Sequence, residues 1–175
     1  FMQCPLRAWP VGIDAGDFPP RAQVPDDAPV LVYFKERDPE ELERVLSLLR
    51  RHAMRHEVIS YGSYSQSDYL AALARCSFVI WLGRQESQGI ALEEALATDV
   101  PVLVMDAISL FQQYPPDKPR ALFPPRLAST RTSSAPYFDE RCGIKVDSLN
   151  HLDDSLALMR ERLPSFEPRQ FVREN

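Results

Sequence analysis

Apolar positions along this chain follow two alternating patterns. The first is the short unbroken run: 29–34 (PVLVYF), 77–82 (SFVIWL) and 101–105 (PVLVM). Runs of this length without alternation are expected of strands covered on both faces. The second is a return every three or four positions. Leu42, Val45, Leu46, Leu49 and Ala53 share one face of a helix, which Asp38 caps and Pro39 opens. Further strands are expected at 57–61, 126–130 and 143–146. Further helices are expected at about 68–74, capped by Ser65 or Ser67, and from Gly89 to about Thr98. Leu152, Leu156, Met159 and Leu163 share a face of another, over 149–163. Ser134 is placed to cap a short helix from Pro136, and Gly143 to end it. Strands alternating with helices predict a doubly wound α/β domain with a parallel sheet.

That domain occupies 29–163. Residues 1–28 are linker-like, with turn formers at Pro10, Gly12, Gly16, Pro19 and Pro20. Five prolines, at 115, 116, 119, 124 and 125, mark an insertion over about 107–127. Residues 164–175 read as a tail or short helix from Pro168. Hydrophobic content of 45% against 26% charged residues is that of a globular chain. A formal net charge of −5 argues against a general nucleic-acid binder. No apolar run approaches the ~20 residues of a membrane span, and the beginning lacks the layout of a signal peptide. A cytoplasmic or membrane-peripheral location is expected. Cys4, Cys76 and Cys142 are too widely spaced for a zinc pattern and read as reduced thiols. His52 and His56 have the i, i+4 spacing of metal ligands but no evident third partner. They read as the basic end of a helix. No G-x-G-x-x-G follows the first strand, so NAD binding is not supported.

The stretch 77–106 carries most of the candidate chemistry. It predicts a buried strand, a polar loop with Arg84 and Glu86, a helix opened by Gly89, and a second buried strand. In open α/β sheets the loop after such a strand lies where ligands bind, and a helix amino end favours an anion. Ile90, Ala91, Leu92, Ala95, Leu96 and Ala97 cover most of the helix surface. At least one of Glu93 and Glu94 is therefore expected near the interior, where a carboxylate needs partners. Exposed acids that merely complement the helix dipole are the plainer alternative. Lys35 and Arg37 follow the first strand and suit phosphate, as a point charge and a two-pronged donor, or are simply solvated. Tyr64 could stack on a base, or pack within its loop.

Glu86-S-Q-G-I-A-L-E-Glu94, followed by Ala95 and by Pro101-Val102-Leu103-Val104, resembles the E-x7-E signature of retaining GT-B glycosyltransferases. The family, glycosyltransferase group 1 (family 4-like), usually reads close to E-G-F-G-L-P-L-L-E-A-M-A-x-G-x-P-V-V. Gly89, Leu92 and Pro101 match. Ser87 replaces the first glycine, and Thr98-Asp99-Val100 replaces a small-residue turn. Residues 9–20 are similar to the family's N-G-V-D-x-x-x-F-x-P entry into its second domain, and 132–146 to its G-G-x-P-E-V-V-x-x-x-x-G-x-L-V, with Ser133 and Ser134 at the glycines. The likeness covers about 11–163.

The resemblance implies a Rossmann-like domain that is one half of a GT-B fold, the C-terminal half that binds a nucleotide-diphosphate-sugar donor. It implies that Glu94 takes the ribose and that Glu86 lies near the donor sugar. Gln88, Gly89 and Ile90 would offer backbone N–H groups, and Lys35 and Arg37 would grip the diphosphate, although the family's later lysine falls near Glu40. Sugar transfer with retained configuration is expected, with no metal and no cofactor beyond the donor. The acceptor is unspecified. An N-terminal acceptor domain is the expected partner, and the chain alone is expected to be inactive. The departures from the motif leave a second expectation, a non-catalytic binding or interaction module derived from the same domain. A flavodoxin-like or response-regulator-like domain would need a phosphate loop or acidic pocket that the sequence does not display.

Overall fold

A computed structural model describes residues 12–112 and 130–175. Five strands form one parallel sheet: β1 (Val30–Phe34), β2 (His56–Ser60), β3 (Val79–Leu82), β4 (Val102–Met105) and β5 (Gly143–Val146), in the order β2-β1-β3-β4-β5. Among the described residues five α-helices connect and flank them: α1 (Pro39–Arg51), α2 (Gln66–Arg75), α3 (Ile90–Ala97), α4 (Leu152–Arg162) and α5 (Pro168–Glu174). The chain is thus a Rossmann-like, doubly wound α/β domain.

Side-chain alternation along the strands sorts the core into two layers. Leu31, Tyr33, Val79, Trp81, Val102 and Val104 pack against Tyr69 and Leu73 of α2 and Leu92 and Leu96 of α3, with Phe171 and Val172 of α5 beside them. Val30, Val32, Ile80, Leu82, Leu103 and Met105 pack against α1 and α4 through Val45, Leu49, Leu156 and Met159. Both faces are covered, which is why the central strands read as continuous apolar runs.

The helix starts follow the local chemistry. Asp38 accepts from Glu40 N at 2.9 Å with Pro39 next, and Ser65 forms a capping box with Asp68. The 149–163 helix begins and ends in 3-10 turns, Leu149–His151 and Leu163–Ser165, around α4. The expected helix from Pro136 is not formed. Ser134 N and Oγ donate instead to Asp106 Oδ1, at 2.6 and 3.1 Å, and Gly143 opens β5 rather than closing a helix. The expected strand at 126–130 falls almost wholly outside the described residues, as do Cys4 and most of the proline-rich insertion. Cys76 and Cys142 are free thiols, and burial pushes each up to about 12. His52 pairs with Asp153 at 2.8 Å, and His56 Nδ1 lies 3.0 Å from Met54 O.

Candidate functional site

The strand order fixes where a site can form. From β1 the chain steps outward to β2 and then returns past β1 to β3, so the loops leaving β1 and β3 diverge. A crevice opens at the carboxyl ends of these strands, the usual ligand position in such sheets. A cleft of about 530 Å³ lies there. It is lined by Lys35 after β1, by the β3–α3 loop and the first turn of α3, and by Tyr61, Tyr64 and Gln66 from the β2–α2 connection.

Seven of the eight residues singled out from sequence line this one cleft: Lys35, Tyr64, Glu86, Gln88, Gly89, Ile90 and Glu94. Lys35 Nζ and Glu86 Oε1 form an ion pair at 2.5 Å, both side chains mostly buried. The ammonium also stands over the Tyr61 ring, 4.3 Å from its centroid. The backbone of Glu86 is fixed from the far side of the sheet edge, where its N–H donates to Ser133 O at 3.0 Å. Ser133 Oγ in turn donates to Asp106 at 3.0 Å. The loop after β4 and the loop before β5 are thereby clasped together and hold the β3–α3 loop in place.

Gly89 is the N-cap of α3 rather than its first helical residue. Its φ of 91° lies in the left-handed region, where glycine is strain-free. No side chain caps this end, and Gly89, Ile90 and Ala91 line the cleft. Ile90 is 52% exposed.

Glu94 is the interior carboxylate that the helix pattern predicts, 8% exposed. Gln66 Nε2 donates to its Oε1 at 2.8 Å. Burial raises the Glu94 carboxyl above its ordinary range, and the Gln66 hydrogen bond opposes that rise. Glu93 is raised likewise by burial, opposed by Gln88 Nε2 at 3.2 Å.

Arg37 stands apart from the cleft. Its guanidinium turns inward beneath the strand ends, 4% exposed, and donates to Gly83 O at 3.1 Å, Met105 O at 2.9 Å and both oxygens of Glu41. All of its charge is spent on structure, and the phosphate role expected of it has no geometry here.

Apart from Tyr64, sequence reading missed the aromatic lining. Tyr33 of β1 stacks on Trp81 of β3 with ring centroids 4.1 Å apart and planes 2° from parallel. Tyr64 donates from its hydroxyl to the Tyr33 hydroxyl at 3.2 Å, and Tyr69 anchors the start of α3 through Ala91 O at 2.7 Å. Burial raises all three phenols, so they act as neutral donors and acceptors. Trp81 Nε1 is buried and has no hydrogen-bond partner among the described residues. The signal available in sequence was the placement of Tyr33 and Trp81 near strand carboxyl ends that otherwise carry branched aliphatic residues. Gln66, directly after a helix cap, was also missed.

The arrangement offers a carboxylate acceptor, uncapped helix N–H groups, one lysine and a wall of aromatic rings. Among the described residues no three His, Cys, Asp or Glu side chains converge as metal ligands. No described helix is long and apolar enough to cross a membrane. No family model and no curated protein matches this sequence.

Proposed function

We propose that this chain is the donor-binding domain of a retaining glycosyltransferase, taking a nucleotide-diphosphate sugar in the cleft between β1 and β3. The observation that carries this reading is the convergence of Glu86 and Glu94 on one cleft, with the uncapped start of α3 between them and Lys35 opposite. The Glu94 carboxylate, with the acceptor sites that Gln66 leaves open, suits the paired hydroxyls of a ribose. The aromatic wall suits the base. The N–H groups of α3 and the Lys35 ammonium suit a leaving diphosphate, whose growing charge they would stabilise. In the transfer, the bond between the anomeric carbon and the diphosphate oxygen breaks with its electron pair going to the diphosphate. The acceptor oxygen ends bonded on the face that the diphosphate left, and the acceptor hydroxyl's proton passes to a diphosphate oxygen. Glu86 lies on the donor-sugar side of this arrangement. The acceptor belongs to an N-terminal domain, without which transfer is not expected.

Calorimetric titration with UDP, GDP and ADP tests the reading. One nucleotide is expected to bind, and Glu94→Gln is expected to weaken it at least about tenfold, the worth of one charged hydrogen bond. The variant separates recognition from folding. A carboxyl whose folded value is raised favours the fold below its unfolded value, and that contribution is lost as pH rises through the folded one. At neutral pH, Glu94→Gln is therefore expected to be at least as stable as the parent chain. Absence of binding to all three nucleotides by folded protein, alone and joined to its acceptor domain, would sink the proposal.

The Lys35–Glu86 pair gives a second prediction. Glu86 occupies the ammonium that a diphosphate would need, so phosphate oxygens must displace it. Glu86→Gln is expected to bind the nucleoside diphosphate about three- to tenfold more tightly, with a steeper loss of affinity as salt is added. Equal or weaker binding by the variant would show that Lys35 does not hold phosphate.

One observation favours a non-catalytic binding module of the same fold. With Arg37 withdrawn, Lys35 is the cleft's single cationic side chain among the described residues, and it is already paired. Donor binding without turnover after the acceptor domain is restored would select that reading.

A further inference from the structure

Gln66 stands in the first turn of α2, directly after the Ser65 cap, and its side chain lines the cleft beside Glu94. The hydrogen bond from its Nε2 to Glu94 Oε1 joins two helices across 28 positions of sequence. Among the described residues no other group hydrogen-bonds the Glu94 carboxylate. Oε1 is engaged and Oε2 is left to the cleft.

The groups around Glu94 leave this task to Gln66. Tyr64 and Tyr69 face it from the β2–α2 loop and from α2, both as neutral phenols, and their hydroxyls donate to Tyr33 and to Ala91 O. Glu93, its neighbour on α3, is bonded by Gln88. Lys35 and Glu86, the other charged groups of the cleft, are paired with each other. On the opposite side of α3, α5 brings Phe171 and Val172 to the core and sends Arg169 to Ala97 O.

We propose that Gln66 is a positioning residue for Glu94: its amide holds one carboxylate oxygen and thereby presents the other to a ligand diol. This rests on the reading of Glu94 as the ribose acceptor. The last torsion of a glutamate is broad and soft, so an unheld carboxylate samples many orientations. A single N–H bonded to a charged oxygen is short and strong enough to select one. The same bond selects the protonation state. A protonated carboxyl would lose acceptor capacity and would set its own O–H among donors, the Gln66 N–H and the diol hydroxyls. Without Gln66 nothing opposes the effect of burial, and the carboxyl would take up a proton at higher pH.

The test compares Gln66→Met, which keeps length but loses the donor, with Gln66→Lys, which restores one. Affinity for the nucleoside diphosphate that the parent chain binds is measured at about pH 8 and about pH 5.5. Gln66→Met is expected to lose about tenfold more affinity than the parent between these conditions, and Gln66→Lys to follow the parent's profile. A loss equal at both pH values, or shared by both variants, would mean that Gln66 only packs against α3 and would overturn the proposal. Carbon-13 NMR titration of the Glu94 carboxyl in the ligand-free chain decides the point independently. Its midpoint is expected to rise in Gln66→Met, and an unchanged midpoint overturns the inference. If no nucleotide binds the parent chain, alone or joined to its acceptor domain, the donor reading falls while this titration still judges Gln66.

Discussion

Arg37→Ala is expected to cost the domain about 3–5 kcal/mol of stability while leaving the nucleotide affinity of the folded protein unchanged. The guanidinium sits beneath the ends of β1, β3 and β4 and binds Gly83 O, just past β3, and Met105 O, the last carbonyl of β4. Its ion pair with Glu41 is closed to water on the arginine side. Removing one partner of a buried pair leaves the other charge uncompensated, and that costs about 3–5 kcal/mol where it has been measured. Two strand-end carbonyls lose their donors as well. Lysine is not an adequate replacement, because one ammonium cannot reproduce a planar fork that reaches four oxygens. Arg37→Lys is expected to recover only part of the loss. Denaturant titration gives the stability, and calorimetry under native conditions gives the affinity. A variant of normal stability with lost affinity would return Arg37 to the phosphate site that its sequence position suggests.

The same residue shows how far the sequence could be read. Its position after an apolar strand marks Arg37 as near the ligand end of the sheet, and it is. Which way a long side chain turns depends on carbonyls 46 and 68 positions away, and no local pattern encodes them. The strands and main helices were legible because their signals are local. Unbroken apolar runs mark strands covered on both faces, and the Asp38-Pro39 and Ser65 caps satisfy the first N–H groups within a turn. That Glu93 or Glu94 lies near the interior was legible, because a helix apolar nearly all round leaves little outer surface; that it is Glu94 was not. Nor was its partner Gln66, since the contact joins two helices through the fold. Ser134 failed as a predicted cap for a related reason. As a cap its hydroxyl would accept from a backbone N–H, whereas here it donates to the buried Asp106 carboxylate, and the two roles look alike in sequence. Strand order was equally hidden, because parallel pairing is long-range, and it is this order that places the crevice between β1 and β3.

Gly143→Ala is expected to destabilise the domain by about 2–6 kcal/mol and to disturb the cleft from a distance. Gly143 opens β5, opposite Val102 in the parallel ladder, with φ of 138°. A Cβ added there would fall 2.1 Å from Val102 O, 2.8 Å from its N and 2.9 Å from its C. These are backbone atoms of a fully buried strand and cannot step aside as a flexible side chain could. Backbone held in a region rarely open to L-residues costs about 1–3 kcal/mol, and overpacking a core adds about 1–3 kcal/mol. Gly62→Ala is the control. It also has positive φ, 81°, but nothing lies within 4 Å of its added Cβ, so only the conformational cost of about 1 kcal/mol is expected. The distant effect follows from what β5 supports. Val146 O accepts from Asp106 N at 2.7 Å, Asp106 holds Ser133 and Ser134, and Ser133 O holds the Glu86 N–H. Lifting β5 from β4 therefore loosens the loop that aims Glu86 at Lys35. Amide hydrogen exchange in Gly143→Ala is expected to accelerate at Glu86 as well as along β4 and β5, whereas Gly62→Ala leaves Glu86 protected. If both variants lose the same small stability, the contact between β4 and β5 is looser than this geometry requires. If β4 and β5 exchange faster but Glu86 does not, the clasp through Asp106 does not transmit, and the cleft is held by β1 and β3 alone.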